Sequence, residues 1–375
     1  MKILHISNYF HPDIGGIEQV ARDCVHALGE HEQRLICFSH KKKTVSEVID
    51  GIPVVRAGTF AKVSSQSLSM NFGKLLKRQF REFQPDIVIF HFPNPLEAST
   101  LLRQLKKRPK CRLFLWWHLD ITKQKILEKL FRGQTLKLLK RAEKIIATSP
   151  NYIEGSKFLP AFRDKCVVIP NCASADHVSA DLEVKRLAEE LKNQFKGKIL
   201  LFALGRHVPY KGMEYLVRAS KLLGDNYAVC IGGEGPLTES LKTLAKGDEK
   251  VRFLGRIDEQ TRKAYTAACD IFCFPSITKN EAFGIALAEA LAFEKPAVTF
   301  TIEGSGVNYV SLNNVTGIEV TNGDVPAYAQ AIETLANNAE LRLTYGRAAK
   351  ERFEELFTEK AFHRNVSGLF TVENN

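Results

Sequence analysis

Short apolar runs alternate with longer amphipathic stretches along almost the whole chain, and this alternation restricts the fold more than any other feature. In the first half the strand-like runs fall at 2–7, 34–39, 52–56, 86–91, 112–117, 144–148 and 165–169. Helical spacing occupies 16–29, 68–83, 96–107, 122–142 and 150–158 between them. In the second half the runs fall at 199–204, 228–231, 252–254, 271–274, 297–300 and 317–320, and helical patterns separate them and fill the tail. Strand followed by helix, repeated many times, predicts parallel sheets with helices on both faces. Two such series, each long enough for its own core, predict an α/β chain of two doubly wound, Rossmann-like domains. The connector is expected at Pro170–Ser179, which opens on proline and is rich in small residues. Ligand-binding loops are then expected at the carboxyl ends of strands.

One stretch carries the most chemistry: Lys279-Asn-Glu281-Ala-Phe283-Gly284-Ile285-Ala-Leu287-Ala-Glu289-Ala-Leu291. It lies between two apolar strands, so Glu281 is expected in a loop and Gly284 at a helix start. Phe283, Leu287 and Leu291 recur at spacing four and should face the sheet. The first turn of such a helix offers free N–H groups and a positive dipole end, which suits a phosphate. Glu281 beside that seat and Glu289 inside the helix suggest a ligand that carries phosphates and hydroxyls together, such as a nucleotide sugar. The plainer alternative is two solvated glutamates near a helix start.

Other strand-to-helix junctions add to this. In Gly205-Arg206-His-Val-Pro-Tyr-Lys211-Gly212 a cation stands at each side of a loop that ends at a helix. A rigid guanidinium fork and a point-charge ammonium suit a diphosphate. Gly232-Gly-Glu-Gly-Pro236 follows another strand, either as a close approach to a base or ribose or as a plain turn. In the first half, Gly15-Gly16 precedes a helix, where the backbone can approach an anion. There is no G-x-G-x-x-G, so no nicotinamide or flavin site is signalled. His118 directly follows the strand at 112–117, where ligand-contacting residues collect, and Asp120 could orient its ring or bind a hydroxyl.

The charge is uneven. Residues 1–175 hold 29 Lys+Arg and 15 Asp+Glu, a net of +14, which leaves 53−29=24 basic and 42−15=27 acidic residues, a net of −3, for the remainder. The basic residues are densest from Arg103 to Lys144, interleaved with Leu102, Leu105, Phe114, Trp116, Ile126, Leu127, Leu130, Phe131, Leu136 and Leu139. Such a segment fits an anionic bilayer surface, a solvated helix face or a nucleic acid. No zinc finger or RNP aromatic pair supports nucleic acid, so none is expected as a partner. Eight cysteines form no C-x2-C pair and no zinc-spaced set, which reads as reduced, buried thiols. The N-terminal run lacks the apolar core of about 7–15 residues of a signal peptide. A cytoplasmic location is therefore expected, with peripheral association to the inner face of the membrane through the basic half.

Taken in order, G-R-x4-K-G, G-G-E-G-P and E-x-F-G-x4-E-A resemble the retaining glycosyltransferases of the GT-B fold, and most of all the group 1 enzymes of family 4. The resemblance covers essentially the whole chain and includes Gly15-Gly16, His118 and Val168-Ile-Pro-Asn171. It implies two Rossmann-like domains facing a cleft: an acceptor domain at 1–175, a nucleotide-sugar domain at 176–355, and a C-terminal helix at about 356–375 that crosses back to the first. It implies that Arg206 and Lys211 bind the donor diphosphate and that Glu289 holds the ribose. Glu281 would contact the sugar, and backbone groups around Phe283, Gly284 and Ile285 would meet sugar and phosphates. Gly16 would let its loop approach the donor, and His118 would contact the transferred sugar from the other side of the cleft. No bound metal or other cofactor is implied, and no D-x-D motif is visible.

The chain departs from the family pattern in two places. Cys172 stands where glycine often follows Pro-Asn, and Glu303-Gly-Ser-Gly-Val-Asn-Tyr-Val310 replaces Gly-Gly-x-x-Glu. The latter segment resembles enzymes of O-antigen or capsule assembly, several of them mannosyltransferases. The implied activity is transfer of a hexose, mannose from GDP-mannose or else a UDP-hexose, to a glycan or lipid-linked glycan with retention. A sugar-nucleotide epimerase of the same fold and a non-catalytic nucleotide-sugar-binding or membrane scaffold are the competing classes.

Overall fold

A computed structural model of the protein describes residues 1–13, 15–63, 66–120 and 125–370, without the side chains of 63, 66, 95, 96 and 125–130. The chain divides into two units, Met1–Ile169 with the segment from Phe362, and Pro170–Ala361. In the second unit six parallel strands run in the order Val251–Gly255, Tyr227–Gly232, Ile199–Leu204, Ile271–Phe274, Ala297–Phe300, Gly317–Val320. The chain winds outward from Ile199–Leu204 in one direction, then returns to its other side at Ile271–Phe274. The order therefore reverses between those two strands, which pair directly through Leu201–Ile271 and Phe202–Phe272. Crossovers leave such a point on opposite faces, so the loops at the carboxyl ends part and leave a crevice.

The four interior strands are apolar almost throughout because helices cover both faces, whereas the edge strands carry Arg252 and Glu319. Tyr227–Gly232 is buried at every position, as is Ile271–Phe274. Several of the covering helices begin with a side-chain cap that satisfies a first-turn amide. Asp181 accepts from the Val184 N–H, Asp258 from Thr261, Asp324 from Ala327 and Asn338 from Leu341. The connector read from sequence, Pro170–Ser179, is packed rather than loose. Asn171, Cys172 and Ala173 are buried, the Ala173 N–H donates to the Phe357 carbonyl, and Ala175–Val178 is a helical turn.

The first unit carries an eight-stranded sheet ordered Cys166–Val168, Lys144–Ala147, Arg112–Trp117, Ile87–Phe92, Lys2–Ile6, Glu32–Phe38, Ile52–Ala57, Val45–Ile49. Its order also reverses at the first strand of the chain, which lies between Ile87–Phe92 and Glu32–Phe38. Two elements depart from the expected pattern. Val45–Ile49 pairs antiparallel with Ile52–Ala57 at the sheet edge, and Ala61–Val63 with Gln66–Leu68 forms a separate hairpin. Neither has the continuous apolar run of an interior parallel strand.

The basic stretch 103–144 reads differently in three dimensions. Leu105, Phe114, Trp116 and Leu139 are core, and so are not an apolar face among exposed cations. Arg112 forks onto Glu143, and Arg141 donates to the Pro109 and Cys111 carbonyls. The side chains of Ile126, Leu127 and Leu130, and residues 121–124, lie outside the described residues. Among the described residues no helix is long and apolar enough to cross a membrane.

The chain returns to the first unit through the helix Glu359–Gly368. Phe362 packs against Trp116 at 5.7 Å between ring centres, and Phe370 against Phe114 at 4.9 Å. The Ser367 hydroxyl donates to the Ala27 carbonyl. Residues 371–375, the end of the expected helix, lie outside the described residues. Because Phe362 is fully buried, Phe362→Ala should destabilise the first unit by about 3–5 kcal/mol. Urea denaturation followed by tryptophan fluorescence reads this directly, since both tryptophans, Trp116 and Trp117, lie in that unit; an unmoved midpoint would mean that the tail is not part of its core.

Candidate active site

Three loops meet at the point of reversal in the second unit. The loop after Ile199–Leu204 carries Arg206 and Lys211, that after Ile271–Phe274 carries Ser276 to Gly284, and that after Ala297–Phe300 carries Glu303 to Gly306. Gly212 fixes the first against the second. Its φ is +60°, and a Cβ there would stand 2.1 Å from the Pro275 carbonyl oxygen. Only glycine permits that approach. The neighbouring Ile277 N–H donates to the Tyr210 carbonyl at 3.0 Å.

Lys211 reaches across this junction to pair with Glu281, whose Oε2 also accepts from the Ser276 hydroxyl at 3.3 Å. Both side chains are largely buried, 15% and 12% exposed, so their mutual orientation is held more firmly than that of a surface pair. The ammonium also lies 5.3 Å from the centre of the Phe274 ring, a cation–π contact. Arg206, on the same loop, is exposed, and its guanidinium has no ion-pair partner among the described residues. One recessed cation and one open cation thus stand on a single loop.

Gly284 caps the helix Ile285–Ala292 with φ +92°, and a Cβ there would press on the Phe274 ring at 3.2 Å. The Leu287 N–H donates to the Gly284 carbonyl at 3.0 Å, which leaves the Gly284, Ile285 and Ala286 amides without an intrahelical acceptor. They begin three residues after Glu281, as the sequence implied. Phe283 is buried and meets Phe357 edge-on, so only its backbone is available for a ligand. The segment Glu303–Val310, which departs from the family pattern, is part of this site. The Ser305 hydroxyl donates to the Glu281 carbonyl and the Gly306 N–H to the Ala282 carbonyl.

Glu289 is not a free carboxylate. Arg262 pairs with its Oε2, and His177 Nδ1 lies 3.2 Å from its Oε1. Neither partner was legible, because Arg262 and His177 sit 27 and 112 positions away in unremarkable contexts. The hydrogen bond to Glu289 raises the His177 pKa above its ordinary 6.5, against burial and the nearby Arg262 charge. His207, also unassigned by the sequence, locks a further loop in place. It is fully buried, its Nδ1 lies 2.9 Å from Thr238 Oγ1, and its backbone bonds both Glu234 and Leu237. This clamps Gly232–Pro236 onto the Arg206 loop.

Gly16 and His118 belong to the first unit. Gly16 opens the helix Gly16–Ala27, and a Cβ there would meet nothing within 4 Å; the crowded position is Gly15, where an added Cβ would lie 2.2 Å from Glu18 Oε2. Burial pushes the Glu18 pKa up. His118 is buried, with its Nε2 3.1 Å from His91 Nδ1. Asp120 is committed elsewhere. It accepts from Trp117 Nε1 at 3.0 Å, the Ser156 hydroxyl at 2.8 Å and the Lys157 N–H at 3.0 Å, tying the strand end to the turn that follows the helix Pro150–Gly155.

Two doubly wound units, with a lysine, an exposed arginine and a glutamate gathered at the second unit's strand reversal, are the architecture of the GT-B glycosyltransferases. The comparisons agree with that class. Residues 14–177 match the family described as Glycosyltransferase Family 4, and residues 185–352 match Glycosyl transferases group 1. The O-antigen chain mannosyltransferase C of Escherichia coli is 31% identical over 99% of this chain and 98% of its own. The D-rhamnosyltransferase WbpZ of Pseudomonas aeruginosa is 30% identical over 96% of this chain and 92% of its own. Among solved structures, the sucrose-phosphate synthase of Thermosynechococcus elongatus superposes with a TM-score of 0.79 at 18% identity, over 98% of each chain. The chain belongs to the group 1, family 4 glycosyltransferases.

The His177–Glu289 pair has a definite pH signature. Because the folded pKa of His177 is raised, the stabilisation it brings is complete below the unfolded value of 6.5 and is lost as pH rises through the folded value. Glu289→Gln should return the imidazole towards 6.5 and flatten that dependence. NMR titration of the His177 ring in both proteins tests this; an unshifted wild-type ring would contradict the pairing.

Proposed function

We propose that this glycosyltransferase moves a hexose of the manno series from a nucleotide diphosphate sugar, GDP-mannose in the first instance, to a hydroxyl of a glycan or lipid-linked glycan. The setting proposed is O-antigen or related surface-polysaccharide assembly. The observation that carries the reading is the Lys211–Glu281 pair, set at the strand reversal beside a helix N-terminus. Charge and hydroxyl recognition are combined there within one loop junction. The two full-length relatives support the sugar: one is named for mannose, the other for D-rhamnose, which is 6-deoxy-mannose.

In this reading Arg206, Lys211 and the first turn of Ile285–Ala292 take the diphosphate. Glu281 takes sugar hydroxyls, and Glu289, oriented by Arg262 and His177, takes the ribose. Positive charge placed on the departing diphosphate lowers the barrier most where the leaving group is most charged. Retention follows if the acceptor attacks from the face that the phosphate leaves. The acceptor O–C1 bond forms as the C1–O(phosphate) bond breaks, and the acceptor proton passes to the departing phosphate oxygen. No metal is called for in this scheme, so EDTA should leave turnover unchanged.

The acceptor's setting suggests where the enzyme works. A groove of about 660 Å³ between the helices Phe72–Glu82 and Pro95–Lys107 is lined by Lys77, Arg103, Lys106 and Lys107 with no acidic residue. Phe60 and Met70, 54% and 85% exposed, stand near the start of the first of these helices. We assign peripheral docking on the anionic inner face of the cytoplasmic membrane to this surface, in place of the residues of 103–144 that are buried or paired.

Three outcomes are expected. Lys211→Ala, Arg206→Ala and Glu281→Ala should each lose on the order of a hundredfold or more in kcat, while a panel of UDP, GDP, ADP, CMP and dTDP sugars should raise the Tm of the wild type with one donor only. Three variants with wild-type transfer would remove the site assignment. Reversing Lys77, Arg103, Lys106 and Lys107 to glutamate should abolish flotation with phosphatidylglycerol vesicles while leaving transfer to a soluble acceptor intact. Undiminished flotation would place the docking surface elsewhere.

A further inference from the structure

The segment Gly232-Gly-Glu-Gly-Pro236 can be a close approach to a ligand or a plain turn on sequence alone. In the second unit it lies along the loop that carries Arg206. The Gly205 N–H donates to the Gly232 carbonyl at 3.1 Å and the His207 N–H to the Glu234 carbonyl at 3.1 Å. The pairing of Ile199–Leu204 with Tyr227–Gly232 therefore runs on past the strand ends. The Leu237 N–H returns a bond to the His207 carbonyl at 3.0 Å. A Cβ at Gly233 would stand 2.1 Å from the Gly205 carbonyl oxygen, and one at Gly235 would stand 2.5 Å from that of His207. The two segments touch backbone to backbone, and Arg206 sits in the middle of one of them.

The His207 side chain completes the contact. Its Nδ1 lies 2.9 Å from Thr238 Oγ1, and the same hydroxyl oxygen accepts the Gly235 N–H at 2.9 Å. Thr238 thus joins the two segments through one oxygen atom. Nε2 has no hydrogen-bond partner among the described residues, and the ring meets Phe253 edge-on with centres 6.1 Å apart. Burial lowers the His207 pKa from its ordinary 6.5, so the ring is neutral near pH 7 and adds no charge to the diphosphate seat. It is also fully buried and offers no surface to a ligand. Its effect on that seat has to pass through its neighbour. Adjacent side chains of an extended segment point to opposite sides, so holding His207 inside turns the exposed Arg206 outward.

We propose that His207 and Thr238 are positioning residues: their side-chain tie fixes the backbone of Arg206 so that its guanidinium projects to where a nucleoside diphosphate binds. Lys211 needs no such device, because Glu281 holds its ammonium directly. Arg206 has no ion-pair partner among the described residues, so its anchored backbone is what aims it. A fixed base lowers the entropy lost when the guanidinium fork closes on phosphate oxygens. The diphosphate contact rests on the proposed transferase reading; the tie does not.

The test separates the two. Thr238→Val removes the hydroxyl at nearly constant volume, and His207→Ala removes the ring. In both, hydrogen–deuterium exchange should quicken at the amides of Gly205 and His207, whereas Thr238→Ser, which keeps the oxygen, should exchange as the wild type does. Titration calorimetry with UDP, GDP, ADP and dTDP reads the contact. Thr238→Val should weaken the nucleotide that binds by about three- to tenfold, the range of one neutral hydrogen bond, and Arg206→Ala by more than about tenfold. Thr238→Val added to Arg206→Ala should weaken it no further, because a residue that acts through Arg206 then has nothing to act on. A full additional loss in the double variant, unchanged exchange or affinity in Thr238→Val or His207→Ala, or a Thr238→Ser variant as weak as Thr238→Val would overturn the proposal. Full affinity in Arg206→Ala, or binding of none of the four nucleotides, would instead remove the diphosphate site and this role with it, and the exchange rates would still decide the tie.

Discussion

At Gly212 the loop that follows one central strand lies against the backbone of the loop that follows the other, 2.1 Å from where a side chain would begin. The chemistry proposed for the second unit depends on that approach. It brings Lys211 onto Glu281, although 70 residues separate them, and it can occur only where two adjacent parallel strands send their crossovers to opposite faces. Elsewhere in the sheet, successive carboxyl ends are covered by helices on the same side. The reversal therefore creates the crevice, and the glycine, with its positive φ, lets two charged loops share it.

The charges there are balanced in layers. Lys211 is held by Glu281 and by the Phe274 ring, and Glu289 by Arg262 and His177. Arg206 is exposed. A site built from recessed pairs plus one open cation presents net positive charge without burying an unpaired ion, which would be costly. It also keeps both carboxylates oriented, Glu281 through Oε2 and Glu289 through both of its oxygens.

Much of this was legible in the sequence because parallel strands buried on both faces leave continuous apolar runs, and because glycine and charge cluster at strand ends. The run Ile271–Phe274 followed by Glu281 and Gly284 was enough to place Glu281 in the loop and Gly284 at the helix start. What escaped was non-local or weakly patterned. Val45–Ile49 is an edge strand whose apolar run is broken by Ser46 and Glu47, and its Glu47 finds Arg56 only across the hairpin. His177 and Arg262 gain meaning only when the fold brings them to Glu289. The reading of 103–144 as an interfacial face failed at Phe114 and Trp116, because interior strands and membrane-facing helices are both rich in apolar residues and charge density alone does not separate them.

The central claim is that the reversal in the second unit holds the nucleotide sugar. Hydrogen–deuterium exchange read by mass spectrometry, with and without the donor that the panel selects, tests it most directly. The account predicts protection concentrated in the backbone of residues 205–212 and 281–287, with lesser protection at 303–306, and none at the strand-reversed amino ends of the same sheet. Saturating donor that protects other segments and leaves 205–212 and 281–287 exchanging as before would contradict it.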